Sequence, residues 1–72
     1  MARSIEDLRE MDLAGLLAEL RAVKQEALNL RFRLATGQLD SHTELSAARR
    51  QIARINTLVR QREIAAAEAA GK

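Results

Sequence analysis

The 72-residue sequence has no cysteine, proline, tryptophan or tyrosine, and it has a single phenylalanine. Without cysteine the chain can form neither a disulfide nor a thiolate metal site. Without proline, no position has the ring that breaks a helix from within. The near absence of aromatics removes the stacking platform on which single-strand RNA modules hold successive bases. What remains is an aliphatic and charged chain, with 47% hydrophobic and 31% charged residues.

Features of several protein classes are missing as well. No run is apolar enough to span a membrane, and the first residues lack the apolar centre of a signal peptide. A chain of this length forms one small domain with a small core. The one histidine, His42, has no second histidine beside it, and the hydroxyl residues have no general base at a recognisable spacing. We therefore expect a cytoplasmic protein that is not an enzyme and holds no metal ion or cofactor.

Apolar residues recur at spacings of three and four in two long segments, as they do in packed helices. These positions are Leu13, Leu16, Leu20, Val23, Ala27, Leu30 and Leu34 in the first segment, and Leu45, Ala48, Ile52, Ile55 and Val59 in the second. Between the segments, Gly37 can close a helix in the left-handed conformation, and Ser41 with Glu44 has the spacing of a capping box. The pattern predicts two antiparallel helices packed through their apolar seams.

A short helix over about Ile5–Met11 is predicted before the first arm, with Ser4 as its N-cap and Asp12 as the cap of the next helix. Whether it joins the first arm is not decided by the sequence. The predicted fold class is thus all-α, an antiparallel two-helix hairpin with a short N-terminal helical segment. It is one domain, 1–72, with a first arm at about 13–36, a bend at about 37–41, a second arm at about 42–63 and a frayed tail at 64–72.

The positive charge lies in the middle of the chain. From Arg21 to Arg62 there are nine basic and three acidic residues, whereas the net charge is −3 before this span and −1 after it. Most of these arginines therefore lack an oppositely charged residue one helical turn away. Such a concentration favours an anionic partner.

A helical wheel places arginines and one aromatic residue outside the predicted seams. Arg49, Arg50, Arg54 and Arg60 lie away from the seam of the second arm. On the wheel, Phe32 lies about 150° from the centre of the first-arm seam, and Leu28 lies towards the same side. We expect these two residues to form an apolar strip that docks on RNA or on a protein, unless the N-terminal helix folds back over it.

Two motifs resemble those of a known family, the large-subunit ribosomal protein twenty-nine of bacteria. They are NLRFRLATGQL at residues 29–39 and RRQIARINT at residues 49–57, and the similarity extends over nearly the whole chain. Gln51 stands where the family commonly has an acidic residue or asparagine, and Asn56 where it commonly has lysine. For that reason Asn56 is not predicted to bind RNA.

The resemblance implies a structural constituent of the large ribosomal subunit. It implies binding to ribosomal RNA near the polypeptide exit tunnel, beside ribosomal protein twenty-three, at a surface where nascent-chain factors dock. The family's motifs imply RNA contacts at five positions, which are Arg31, Arg33, Arg49, Arg50 and Arg54. The helical wheel alone adds a sixth contact, Arg60. Lys24 and Arg21 are weaker candidates.

A hypothesis from another class remains open at this point. The same heptads would suit a self-associating coiled-coil module in which two hairpins form a four-helix bundle. The arginines would then bind an acidic protein. A monomer that binds large-subunit RNA with steep salt dependence favours the ribosomal hypothesis, and a stable dimer indifferent to RNA favours the bundle.

Overall fold

The computed structural model describes residues 4–71, which form three helices and no strand. They are α1 (Ile5–Glu10), α2 (Leu13–Ala35) and α3 (Thr43–Ala70). α2 packs along α3, and α1 packs against α3. The molecule is a rod with extents of 54 × 19 × 15 Å. The predicted all-α hairpin with a short N-terminal helix is confirmed.

The first two helices are separate, and each has the predicted cap. The Ser4 hydroxyl accepts a hydrogen bond from the Asp7 backbone N–H at 3.1 Å, and the Asp12 carboxylate accepts one from the Gly15 N–H at 2.8 Å. Between them, Met11 and Asp12 have extended backbones with ψ of 149° and 174°. A Cβ at Gly15 would lie 3.0 Å from the Asp12 carboxylate oxygen, so glycine leaves room for this cap.

The bend begins with the predicted glycine. Gly37 has a φ of +78°, in the left-handed region that glycine adopts without strain. Its N–H donates to the Leu34 carbonyl at 3.2 Å, and the Gln38 N–H donates to the Arg33 carbonyl at 2.8 Å. These two bonds form a Schellman motif, which satisfies carbonyls that the end of α2 would otherwise leave unpaired.

The predicted capping box at the start of α3 is wrong. The helix begins at Thr43, so His42 takes the N-cap position, and its side chain makes no capping hydrogen bond. Ser41 is one residue too early for the predicted bond to the Glu44 N–H. Its hydroxyl instead accepts from the Thr43 N–H at 3.4 Å.

The core lies between α2 and α3 and beneath α1. Leu8, Leu16 and Ile55 are fully buried, and every predicted seam position is buried or packed against the buried cluster. α3 differs from the prediction at three residues. Leu58 and Gln51 are buried, and Ile52 is only partly buried. α1 packs against α3, and Leu58 lies one helical turn before Arg62, which contacts α1.

Arg62, where the apolar seam of α3 was predicted to end, has a structural role. Its half-buried guanidinium donates hydrogen bonds to the Met11 carbonyl and, at 2.6 Å, to the Arg9 carbonyl. Both carbonyls lie at the C-terminal end of α1, where helix carbonyls lack partners and a positive charge is favourable. Arg62 therefore ties α1 to α3.

The second arm extends further than the sequence predicts. An end near Glu63 with a frayed tail was expected, but α3 continues to Ala70, and the Gly71 N–H donates to the Ala67 carbonyl at 2.9 Å. The side chains beyond Glu63 are exposed, so the helix there is supported by the high helix propensity of alanine and not by packing. Residue 72 of the expected tail and residues 1–3 of the predicted domain lie outside the described residues.

Candidate nucleic-acid interface

All six arginines predicted to contact RNA are exposed. One of them, Arg54, donates from Nη1 to the Gln51 side-chain oxygen at 3.4 Å. The others have no side-chain hydrogen bond or ion pair to any residue in the range 4–71. Their guanidinium groups are therefore available to an external anion.

One long side of the hairpin is a groove between α2 and α3, which we call the groove face. Its lining residues are Glu19, Ala22, Val23, Glu26, Asn29, Leu30, Arg33, Glu44, Ala47, Ala48 and Gln51. Of the six predicted RNA contacts, only Arg33 lies here. It shares the groove with three carboxylates, so the net charge of the groove face is not positive.

The opposite side of the hairpin carries cations from both helices. At about 100° per residue, Lys24 and Arg31 of α2 lie on the side of that helix away from Glu26. Arg49 and Arg60 of α3 lie on the matching side, about 16 Å apart along the helix axis at 1.5 Å per residue. We call these four residues, Lys24, Arg31, Arg49 and Arg60, the basic face.

Few acidic residues of the two long helices lie on the basic face. The only two carboxylates of α2 are Glu19 and Glu26, and both line the groove face. Among the described residues of α3, only Glu63 falls in the sector of the wheel that holds Arg49 and Arg60. The positive charge of this face is therefore largely unbalanced.

The six arginines thus do not form one continuous surface. Arg31, Arg49 and Arg60 lie on the basic face, joined there by Lys24, which was only a weaker candidate from sequence. Arg50 and Arg54 lie along the outer edge of α3, at about 140–180° on a wheel that starts at Leu45. Residue type and motif identified the arginines, but only the packing of the two helices shows which of them share a side.

The predicted apolar strip is exposed on the outer side of α2. Leu28 and Phe32 have relative exposures of 58% and 66%, and with Asn29 and Arg33 they line a shallow pocket. Because α1 packs on α3 and leaves both side chains exposed, the alternative in which the N-terminal helix covers the strip is wrong. Phe32 lies outside the core, as predicted.

The described part of the chain has neither a metal site nor a membrane-spanning helix. Residues 4–71 contain no group of histidine, cysteine or acidic side chains that could hold a metal ion. None of the helices in this range has the length and apolar character needed to cross a membrane. His42 is exposed at the start of α3.

Comparison with known sequences decides the family. The family model described as "Ribosomal L29 protein" matches residues 6–62, which are most of the chain. The chain belongs to the ribosomal L29 protein family. The match with the L29 family ends at the residue that anchors α1, so the alanine-rich end of α3 lies beyond it.

Curated relatives within the L29 family are similar over most of their length. The large ribosomal subunit protein uL29 of Streptomyces coelicolor is 55% identical over 58 residues, which are 81% of this chain and 78% of the relative. That of Carboxydothermus hydrogenoformans is 49% identical over 59 residues, or 82% and 86% of the two chains. That of Bacillus cytotoxicus is 48% identical over 58 residues, or 81% and 88%.

Membership of the L29 family settles the general role. The chain is a structural constituent of the large ribosomal subunit and not an enzyme. A bacterial ribosomal protein works in the cytoplasm with the ribosome, in agreement with the localisation expected from sequence.

Proposed function

We propose that this protein binds the RNA of the large ribosomal subunit through its basic face. The observation that carries the proposal is that, at about 100° per residue, Lys24, Arg31, Arg49 and Arg60 lie on one side of the hairpin. The carboxylates of α2, and Glu44 of α3, line the other side. An RNA backbone bound to the basic face would contact cations that have no described intramolecular partner. Few carboxylates of the two long helices lie on this face to repel its phosphates.

The chemistry of the basic face suits phosphate contacts. A guanidinium group is planar and permanently charged, and it can bridge two phosphate oxygens with paired hydrogen bonds. Contacts of this type position a protein on a nucleic acid but do not distinguish one base sequence from another. Because two packed helices hold the cations, their spacing is set by the fold, which favours recognition of a folded RNA shape.

The outer edge of α3 extends the contact. Arg50 and Arg54 are exposed on this edge, and both belong to the segment that resembles the family motif. We assign them to phosphates at the border of the RNA surface. Arg33 has the weakest case of the six, because it lies in the groove with Glu26 and Glu44.

The resemblance to the L29 family supports a proposed location near the polypeptide exit tunnel, beside ribosomal protein twenty-three, at a surface where nascent-chain factors dock. The groove face supports a protein neighbour on that side, since its three carboxylates repel phosphates and attract basic side chains.

The proposal is tested with large subunits depleted of this protein and then incubated with single variants. Arg49→Ala should reduce the slope of log affinity against log salt by about one unit or less, because one phosphate contact is lost. Arg33→Ala is the matched control and should change the slope less. Circular dichroism should show unchanged helix content for both, since both side chains are exposed.

Three results would overturn the proposal. If Arg33→Ala had the larger effect, the RNA would lie in the groove. If Arg49→Ala reduced the helix content, the arginine would be a packing residue. A stable dimer that does not bind ribosomal RNA would instead support the self-associating coiled-coil hypothesis.

A further inference from the structure

We propose that Phe32 packs against one unpaired base of the ribosomal RNA, in the pocket formed with Leu28, Asn29 and Arg33. The inference rests on the proposed RNA binding of this protein. It adds a contact to a base face, which differs in chemistry from the phosphate contacts of the basic face.

The exposure of Phe32 shows that the outer side of α2 is not covered by any other part of residues 4–71. Phe32 is the only aromatic residue of the chain and is 66% exposed, and Leu28, one turn before it, is 58% exposed. Side chains one turn apart on a helix are neighbours, so the two form a continuous apolar surface. In a domain with so small a core, an aromatic side chain left in water marks a surface that a partner covers.

The charges around Phe32 identify the partner. Arg31 precedes Phe32 in sequence, lies about 100° away on the wheel and belongs to the basic face. None of the four residues that line the pocket is a carboxylate, although Asn29 and Arg33 also border the acidic groove. A nucleotide presents a flat apolar face to the ring and a phosphate to Arg31. A hydrophobic protein surface would leave the Arg31 guanidinium group without a counter-charge.

Asn29 adds a donor for the edge of the base. Its side-chain oxygen accepts from the Gln25 amide at 3.2 Å, which leaves its amide N–H groups without a partner among the described residues. The pocket therefore fits acceptor atoms on a base edge.

The base has to be unpaired. In an A-form duplex each base is stacked between its neighbours, and the deep, narrow major groove excludes side chains. Only a base in a loop or bulge, or one turned out of the stack, offers its face to an aromatic ring. The pocket is shallow and bounded by one helix, so it holds a single base and not a strand.

The inference is tested with Phe32 variants of the full chain on depleted large subunits. Phe32→Ala should weaken binding roughly 5- to 150-fold, the range measured for loss of a base–aromatic stack. Phe32→Leu keeps an apolar side chain without a flat ring and should not restore affinity, whereas Phe32→Tyr should. The salt slope should be the same for all of them, because a stacked base releases no counterions. Chemical probing should show one unpaired base that becomes reactive in Phe32→Ala.

Ile64→Ala is the matched control. Ile64 is also an exposed large apolar residue, at 50%, but it lies beyond the family match and away from the pocket. Its removal should leave both the affinity and the base reactivities unchanged.

The inference is overturned if Phe32→Ala changes neither affinity nor base reactivity. It is also overturned if the substitution weakens binding to complete subunits but not to the isolated ribosomal RNA, since a protein would then cover the strip. Failure of the inference is distinguishable from failure of the proposed function. If only the inference fails, Arg49→Ala still reduces the salt slope.

Discussion

The basic face and the groove face are made by the same two helices and yet differ in charge. Arg31 and Arg33 are two positions apart in sequence, but the first lies on the basic face and the second lines the groove beside Glu26. Two positions on a helix are separated by about 200°. Neighbouring charges in a helical sequence therefore need not share a site.

A second contrast involves arginines of one helix. Arg60 and Arg62 are two residues apart on α3, and Arg60 is exposed while Arg62 donates to the carbonyls of Arg9 and Met11. The residue type is the same, but one side chain is free for a partner and the other holds α1. The role of an arginine on α3 depends on what α1 places beside it.

The largest effect is expected from reversing two charges on the basic face. Arg31→Glu combined with Arg49→Glu should lower affinity for large-subunit RNA on the order of 100-fold at about 0.1 M salt, because two phosphate contacts are replaced by repulsion. Binding to depleted subunits at several salt concentrations measures it. Arg33→Glu alone, in the groove, serves as the control and should lower the affinity for RNA much less. Equal losses in the two variants would show that the faces do not differ in function.

An intermediate effect, on stability, is expected from Arg62→Met. The free energy of unfolding should fall by about 1.5–3 kcal/mol, the range for hydrogen bonds to charged groups, because α1 loses its anchor. Urea denaturation followed by circular dichroism measures the change. The salt slope of RNA binding should stay the same.

Arg60→Met is the companion to that variant. Because Arg60 is exposed, its stability change should stay within about 0.5 kcal/mol, while its salt slope falls. If instead the salt slope depended on Arg62 and stability on Arg60, the assignment of the two roles would be reversed.

The smallest effect is expected from Glu26→Gln in the groove. Affinity for RNA should rise by less than about two-fold, because charges are screened beyond a distance of about 10 Å at 0.1 M salt. The hairpin is 15–19 Å across its short dimensions, so a carboxylate in the groove is remote from RNA on the opposite face. A rise of ten-fold or more would place the RNA in the groove.

Much of the fold could be predicted because its signals are local. Ser4 and Asp12 cap the two helices that they were predicted to cap, and Gly37 ends α2. Each of these residues acts on backbone groups only a few residues away. The length of α3 could have been inferred from the helix propensity of its alanines, but the lack of packing partners argued against it. The anchoring role of Arg62 could not be predicted, because it depends on where α1 lies. The burial of Leu58 was missed as well, because the seam pattern did not include this residue.

The candidate site, like the fold, could be predicted from the sequence only in part. The family motifs and the wheel identified Arg31, Arg49 and Arg60 as outward residues, and all three are exposed. Their contact with RNA remains a prediction. Their grouping with Lys24, and the separation of Arg33 from them, required the relative rotation of α2 and α3, which a wheel drawn for one helix does not contain.

The pattern of residues along the chain was sufficient to specify the helices, the turn between the long ones and the apolar stripe of each, because these depend on interactions within a few residues. It was sufficient to indicate the family through two motifs. The rotation of α2 against α3 and the placement of α1 determine which arginines face outward together, which one is used internally and which apolar strip stays uncovered. Those outcomes arise from contacts between residues up to 53 positions apart, such as Arg62 with Arg9, and a local pattern carries no information about them.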